Sequence, residues 1–424
     1  METGAILVKI RQSSGKGMPG IQVINERPSG LIHRLQMRGV TDIRKTVSVL
    51  YGLCPIAHLC AMDLAERAVK GLSEEDRKRR DGALLERAVA LEAVIENLRV
   101  FLTDGAMLAG ITLDNTALRA LGKLRATLML VLAALVDNKN TPETVSHTHE
   151  LITGAAAECG ALFKDALLGT DARTFYSEVS AESLRKLTDS GSLPAAALLR
   201  EFDALPSGFG EVGTELMPAL NGPGGRAMAE ELYSRLKFEP HFDMMPILND
   251  SPQLTGAIVR QHSHPLLESV LGDEAPGPFT LTLARLLDTA GLIIALGQSA
   301  PGAQATEPVC PLPAFVSLKF PHSGGVGLVE TARGLLTHAR GFVPSAASAE
   351  SASFYAVTSP TEWQFAPEGP ATQALQNAFR AQCRKAETAQ SPEAIARTAR
   401  IALFGLDACV PVKLVVNGVP TPMR

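Results

Sequence analysis

From Asp42 to about residue 300, apolar residues recur at three- and four-residue spacing, and the strand-type runs lie outside that stretch. That period places the apolar residues of each segment on one helix face, so packed helices are the expected body of the chain. Leu84, Leu85, Ala88, Leu91, Val94, Ile95, Leu98 and Phe101 follow it closely and read as a single face. Ser73-Glu74-Glu75-Asp76 offers a capping signal ahead of them, because serine accepts from first-turn amides and acids suit a helix N-terminus. Asp114 to Val136 predicts a second long helix, and Thr141-Pro142 opens a third with proline at the first helical position. Further helices are expected near 181–200, 226–237, 254–271, 279–297, 370–387 and 392–404.

Strand-type runs flank this body. Ile6 to Ile10 and Ile21 to Ile24 suit strands around a Gly/Ser/Pro loop at Ser13 to Gly20, and Ala314 to Leu318 and Tyr355 to Thr358 suit strands later on. Pro206 to Gly225 and Ser299 to Pro313, rich in Gly and Pro, read as irregular. The expected fold class is mainly α (α+β): a long helical bundle with small β elements from both termini. Its parts are a β/turn region at 1–45, a helical body at 46–300 and a mixed part at 301–424, read together as one domain without internal repeats. A chain of 424 residues, 46% hydrophobic, can bury a core of that size.

A net charge of −4 leaves no basic footprint for nucleic acid or an anionic membrane. The longest apolar run, Leu128 to Val136, is about half of the roughly 18 residues that suggest a membrane span, and reads as buried helix. Met1-Glu2-Thr3-Gly4 begins no signal peptide, and six cysteines in so long a chain point to reduced thiols, so a cytoplasmic location is expected.

Three patterns are candidates for chemistry. Gly208-Phe209-Gly210-Glu211-Val212-Gly213 matches the dinucleotide fingerprint, but it follows a helical stretch and precedes a poor helix start, so it lacks the context that makes the motif work. The pairs His147/His149 and His262/His264 stand two apart, which on a helix points them to different faces, and local hydrogen bonding explains them. Cys54 and His58 stand four apart, where side chains do share a face. A thiolate there suits a soft metal, while a buried structural cysteine is the competing explanation. Cys60, Cys159, Cys310 and Cys383 have no motif around them.

Five segments in order resemble motifs of the nickel–iron hydrogenase large subunit. Tyr51-Gly52-Leu53-Cys54-Pro55-Ile56-Ala57-His58 is similar to R-x-C-G-x-C-x-x-x-H, and Leu254 to Arg260 to E-x-G-x-x-A-R with leucine for glutamate. Glu330 to His338 resembles E-A-P-R-G-x-x-x-H, Ser359 to Pro367 resembles P-[ST]-x-W-N-x-x-P, and Asp407-Ala408-Cys409 resembles the start of D-P-C-x-x-C. Each paired-cysteine motif keeps one thiol, because Tyr51 and Val412 stand where the other two cysteines would be. Neither residue replaces a thiolate, so the resemblance implies no nickel and no hydrogen turnover.

The resemblance implies more for iron. Cys54 falls at a bridging position and Cys409 at a nickel-only position, while Arg333 and Thr361 fall where the family hydrogen-bonds the cyanide ligands. Cys54 and Cys409 are the expected metal ligands, with His58 tuning Cys54 and Arg333 and Thr361 orienting cyanide. This profile is similar to the hydrogenase expression/formation proteins of the HupK/HoxV type, and implies a non-enzymatic scaffold that transiently holds an Fe(CN)2CO unit. Its expected partners are other maturation proteins (a small scaffold chaperone and iron-cyanide assembly factors) and the large-subunit precursor. The alternatives are a hydrogenase with an altered site and a purely structural large-subunit homologue.

Overall fold

In a computed structural model, residues 4–12, 18–72, 83–137, 141–299, 310–343, 352–383 and 391–422 are described. The capping signal at Ser73 to Asp76 and most of the 299–313 stretch lie outside them. The fold is mostly helical with two four-stranded sheets. The first helices are α1 (Leu31–Met37), α2 (Ile43–Leu50), α3 (Pro55–Lys70) and α4 (Leu84–Val100). Asp42 caps α2 by accepting from Lys45 N, and Thr141 caps the Pro142–Leu162 helix by accepting from Thr144 N.

Helix α4 forms the axis of the bundle. It packs against α3 and the helices Asn115–Asp137, Pro142–Leu162 and Pro278–Gln298. Its apolar stripe is only part of its buried surface, because Glu86, Arg87, Glu92, Glu96 and Asn97 are buried too. The one-faced helix expected from the periodicity is in fact enclosed on nearly all sides, with its polar residues facing other parts of the protein instead of water. Pro278–Gln298 alone among the described helices is long and apolar enough to cross a membrane, and 89% of its apolar window is buried inside the protein. The Leu128 to Val136 run is amphipathic in place: Leu128, Val131, Leu132 and Leu135 are buried while Leu130 is exposed.

One sheet joins the two ends of the chain. It contains β1 (Ile6–Arg11), β2 (Gly20–Asn25), β9 (Val412–Val416) and β10 (Val419–Thr421), in the order β10-β9-β1-β2. Strands β1 and β9 pair in parallel with Ile6 opposite Val412. The termini therefore do contribute β structure. A second sheet lies well inside the chain; its outer strands contain the runs expected at Ala314 to Leu318 and Tyr355 to Thr358, while its two inner strands were not expected. It is an antiparallel meander of β5 (Phe315–Phe320), β6 (Gly324–Thr331), β7 (Gly334–Val343) and β8 (Ala352–Thr358).

Glycine lets this sheet approach α3. A Cβ at Gly327 would lie 2.1 Å from the Ala61 carbonyl oxygen, and one at Gly325 would lie 2.4 Å from that of Ala65. Helix α3 thus lies directly on the β6 backbone, which brings its N-terminal end to the β6–β7 hairpin. The helices expected at 181–200 and 254–271 are each divided in two, at Gly191 to Leu193 and at His262 to His264, with a two-residue strand, β4 (Gln253–Leu254), ahead of the second pair. Strand β4 pairs with β3 (Glu215–Leu216).

Candidate functional site

Five parts of the chain line one small cavity, two of them being Glu92 and Glu96 on α4 and the Ser359-Pro360 pair. Cys54 comes from the start of α3, Arg333 from the β6–β7 hairpin, and Cys409 from the turn before β9. Cys54 is the N-cap of α3 and precedes Pro55, which suits the first helical position. His58, one turn on, borders the same cavity. The cavity volume is about 10 Å³, room for about one water.

The Arg333 turn is tightly held. Ala332 and Arg333 form the two-residue tip between the paired residues Thr331 and Gly334. Thr331 Oγ1 accepts from Arg333 N at 3.2 Å and donates to the Gly334 carbonyl at 2.9 Å. Gly334 has φ +133°, and a Cβ there would collide with Thr255 at 2.5 Å. Thr255 Oγ1 accepts from Leu335 N, and Gln364 donates to the Arg333 carbonyl at 3.0 Å. Gly256 (φ +109°) fits below this turn, so the 254–260 segment acts here as a backbone seat for Arg333.

The Arg333 side chain sits between two carboxylates. Its Nε lies 2.9 Å from Asp407 Oδ2, and its Nη2 lies 3.4 Å from Glu96 Oε2. Arg285 adds a second cation, 3.2 Å from Asp407 Oδ2, and also donates to Asn97 Oδ1. Burial alone would push the Asp407 carboxyl up, but Arg333 and Arg285 outweigh it and hold it below its ordinary range. Burial likewise works against the Arg333 guanidinium, and Asp407 and Glu96 keep it charged. Glu92, also on α4, accepts from Ile56 N and Ala57 N with its two oxygens, fastening the start of α3 to α4. Burial pushes its carboxyl up to about 8.

Two thiols share this setting. Burial raises the Cys54 pKa well above its ordinary value, and nearby Cys409 raises it further. Thr361 is buried and tied to Cys409, donating to its sulfur at 2.9 Å and accepting from its amide at 3.1 Å. Ser359 and Pro360, rather than Thr361, border the cavity. Arg27, just beyond β2, donates to Ser359 Oγ and pairs with Glu362, which itself accepts from Ser359 N and Oγ. Tyr51 stacks on His58 with ring centroids 3.5 Å apart and planes 6° apart.

The five residues expected at the site thus lie in one region: Cys54, His58, Arg333 and Cys409 around the cavity, Thr361 behind Cys409. Sequence reasoning did not find Arg27, Glu92, Glu96 or Arg285. Glu92 and Glu96 carried a signal, being acids inside a stretch of strong apolar periodicity. Among the described residues, no group of three or more His, Cys, Asp or Glu side chains is arranged to hold a metal ion. The H-x-H pairs do not converge either; His264 caps the Pro265–Leu271 helix through Leu266 N, and its Nε2 lies 2.9 Å from the Tyr176 carbonyl oxygen. No strand leads into Gly208 to Gly213, as the weak context of that motif implied.

Of the two residues that stand where the resemblance would have further cysteines, Tyr51 is stacked on an imidazole and Val412 is a strand residue paired with Ile6.

No family model matches the chain, and no curated protein matches it. Among solved structures, it is similar to a chain in the crystal structure of NAD+-reducing [NiFe]-hydrogenase in the H2-reduced state, with a TM-score of 0.46 and 16% identity, covering 84% of this chain and 85% of that one.

Proposed function

We propose that this chain is a non-catalytic maturation scaffold of the HupK/HoxV type that holds an Fe(CN)2CO unit as cargo on its way to a nickel–iron hydrogenase large subunit. The observation that carries the reading is that Cys54 and Cys409, 355 positions apart (409 − 54), border one small cavity with Arg333 and His58. Thiolates are soft ligands suited to iron, and a buried guanidinium suits an anionic cyanide. Thr361 would act through Cys409, holding its sulfur in place. Tyr51 and Val412 supply no thiolates for nickel, which favours a scaffold over a hydrogenase with an altered site. The partners in this reading are the small scaffold chaperone, the iron-cyanide assembly factors and the large-subunit precursor, in the cytoplasm.

Infrared spectroscopy on anaerobically purified protein, from a host that makes the iron-cyanide unit, tests this. Cyanide and carbonyl bands are expected with the wild type and not with Cys54→Ala. Their absence from the wild type, or their persistence in the variant, would overturn it.

A second reading, a purely structural large-subunit homologue, is favoured by the small cavity and by the engagement of Cys409 with Thr361. On that reading, replacing Cys54, His58, Arg333 and Cys409 together leaves hydrogenase maturation in the host intact.

A further inference from the structure

His58 is 1% exposed, and its Nε2 has no hydrogen-bond partner among the described residues although the residue borders the cavity. A buried ring nitrogen can be left in this way as an N–H or as a lone pair, and the two have opposite uses. The first donates to an anion; the second ligates a metal. The neighbouring bonds decide which it is.

Tyr355 is buried, and its hydroxyl oxygen lies 2.8 Å from His338 Nδ1, the one partner found for it among the described residues. A phenol hydrogen must be given to an acceptor, so Nδ1 of His338 takes it as a bare nitrogen. A neutral His338 then carries its proton on Nε2. That atom lies 2.9 Å from His58 Nδ1, so it donates there and His58 Nδ1 is bare in turn. The His58 proton is left on Nε2. Burial disfavours a second proton on either ring, and His338 and Arg27 make His58 harder still to charge. The stacked Tyr51 ring keeps the imidazole from turning over. In the reverse register the Tyr355 hydrogen would have no acceptor.

We propose that Tyr355 and His338 are positioning residues that lock the His58 proton on Nε2, so that His58 meets the cavity as a hydrogen-bond donor to an anionic acceptor, a thiolate or a cyanide-type ligand, and not as a metal ligand. Use of that donor toward an iron-cyanide cargo rests on the scaffold reading. The tautomer does not, because it follows from bonds within the protein itself.

Metal-free, full-length protein with isotope-labelled histidine nitrogens therefore tests it, by long-range proton–nitrogen correlation spectra that separate bare from protonated ring nitrogens. Three histidines are buried: His58, His264 and His338. They are recognised by slow hydrogen exchange. His264 Nε2 faces the Tyr176 carbonyl and so must also be protonated. All three are expected to show a protonated Nε2 and a bare Nδ1, so the wild-type spectrum decides without residue assignment. A bare Nε2 on any slowly exchanging ring would overturn the proposal. In Tyr355→Phe, which keeps the ring and removes the donor, the His338 Nδ1 and His58 Nε2 resonances are expected to shift toward averaged positions. An unchanged pattern in a folded variant would equally overturn it. Failure of either kind leaves the infrared test of the cargo untouched.

Discussion

The Thr361 hydroxyl holds Cys409 at two points, 2.9 Å from its sulfur and 3.1 Å from its amide nitrogen. Thr361→Val keeps the shape and removes both bonds, leaving a partly buried amide without its acceptor. A loss of about 1–3 kcal/mol is expected, measured by chemical denaturation. Cys409 is also expected to react faster with a thiol reagent, while Thr361→Ser restores wild-type behaviour. An unchanged Cys409 rate in Thr361→Val would show that the hydroxyl does not hold the thiol.

Asp407 has φ +39°, in the left-handed region, and its carboxylate separates Arg333 from Arg285. Asparagine tolerates that backbone conformation, so Asp407→Asn isolates the charge. With two buried guanidinium groups left facing each other, destabilisation of about 3–5 kcal/mol is expected in equilibrium unfolding. A cost below 1 kcal/mol would mean that Glu96 and Asn97 suffice to hold both cations.

Burial lowers the pKa of His58 and pushes His338 down to about 3, from an ordinary value of 6.5. The unfolded chain therefore binds protons that these rings refuse in the folded state. Their contribution to stability is complete above pH 6.5 and is lost as pH falls from 6.5 toward 3. Each proton contributes a slope of up to about 1.4 kcal/mol per pH unit. Glu92, raised by burial, tilts the total curve the opposite way. The comparison of wild type with His338→Gln isolates the histidine, and the wild type is expected to lose more stability than the variant between pH 6.5 and 4.5. Parallel curves would count against a neutral, buried His338.

Gly327 marks the closest approach of the sheet to α3. Gly327→Ala places a methyl group against the Ala61 carbonyl and is expected to cost about 1–3 kcal/mol or more, because backbone rather than a flexible side chain must move. The shift should reach the site, since α3 carries Cys54 and His58. A rise in Cys54 reactivity alongside the stability loss is expected; loss of stability alone would mean that the movement stays local.

Much of the helical body was legible because a 3.6-residue period leaves a direct mark on sequence. Asp42, Thr141 and Pro142 sit where their capping chemistry places them. The β6–β7 hairpin was not legible as strand, because Gly324, Gly325 and Gly327 have weak strand propensity and serve the contact with α3 instead. The divided helices were read as continuous because an apolar pattern carries across a two- or three-residue turn.

The cysteines at 54 and 409, the histidine at 58 and the arginine at 333 were visible as residue types within motifs, and with them the absence of thiols at 51 and 412. Their chemistry is intrinsic to each side chain, so the sequence by itself determined which ligands this chain can offer. Only the tertiary structure decided that Arg333 lies between Glu96 and Asp407, that Thr361 faces Cys409, and that Tyr355 reaches His58 through His338. Those partners are between 17 and 280 positions apart where the shortest and longest links of that histidine chain are measured. Hydrogen bonds and ion pairs act over a few ångströms of space, and no local pattern along the chain encodes which distant groups the packing will bring within that range.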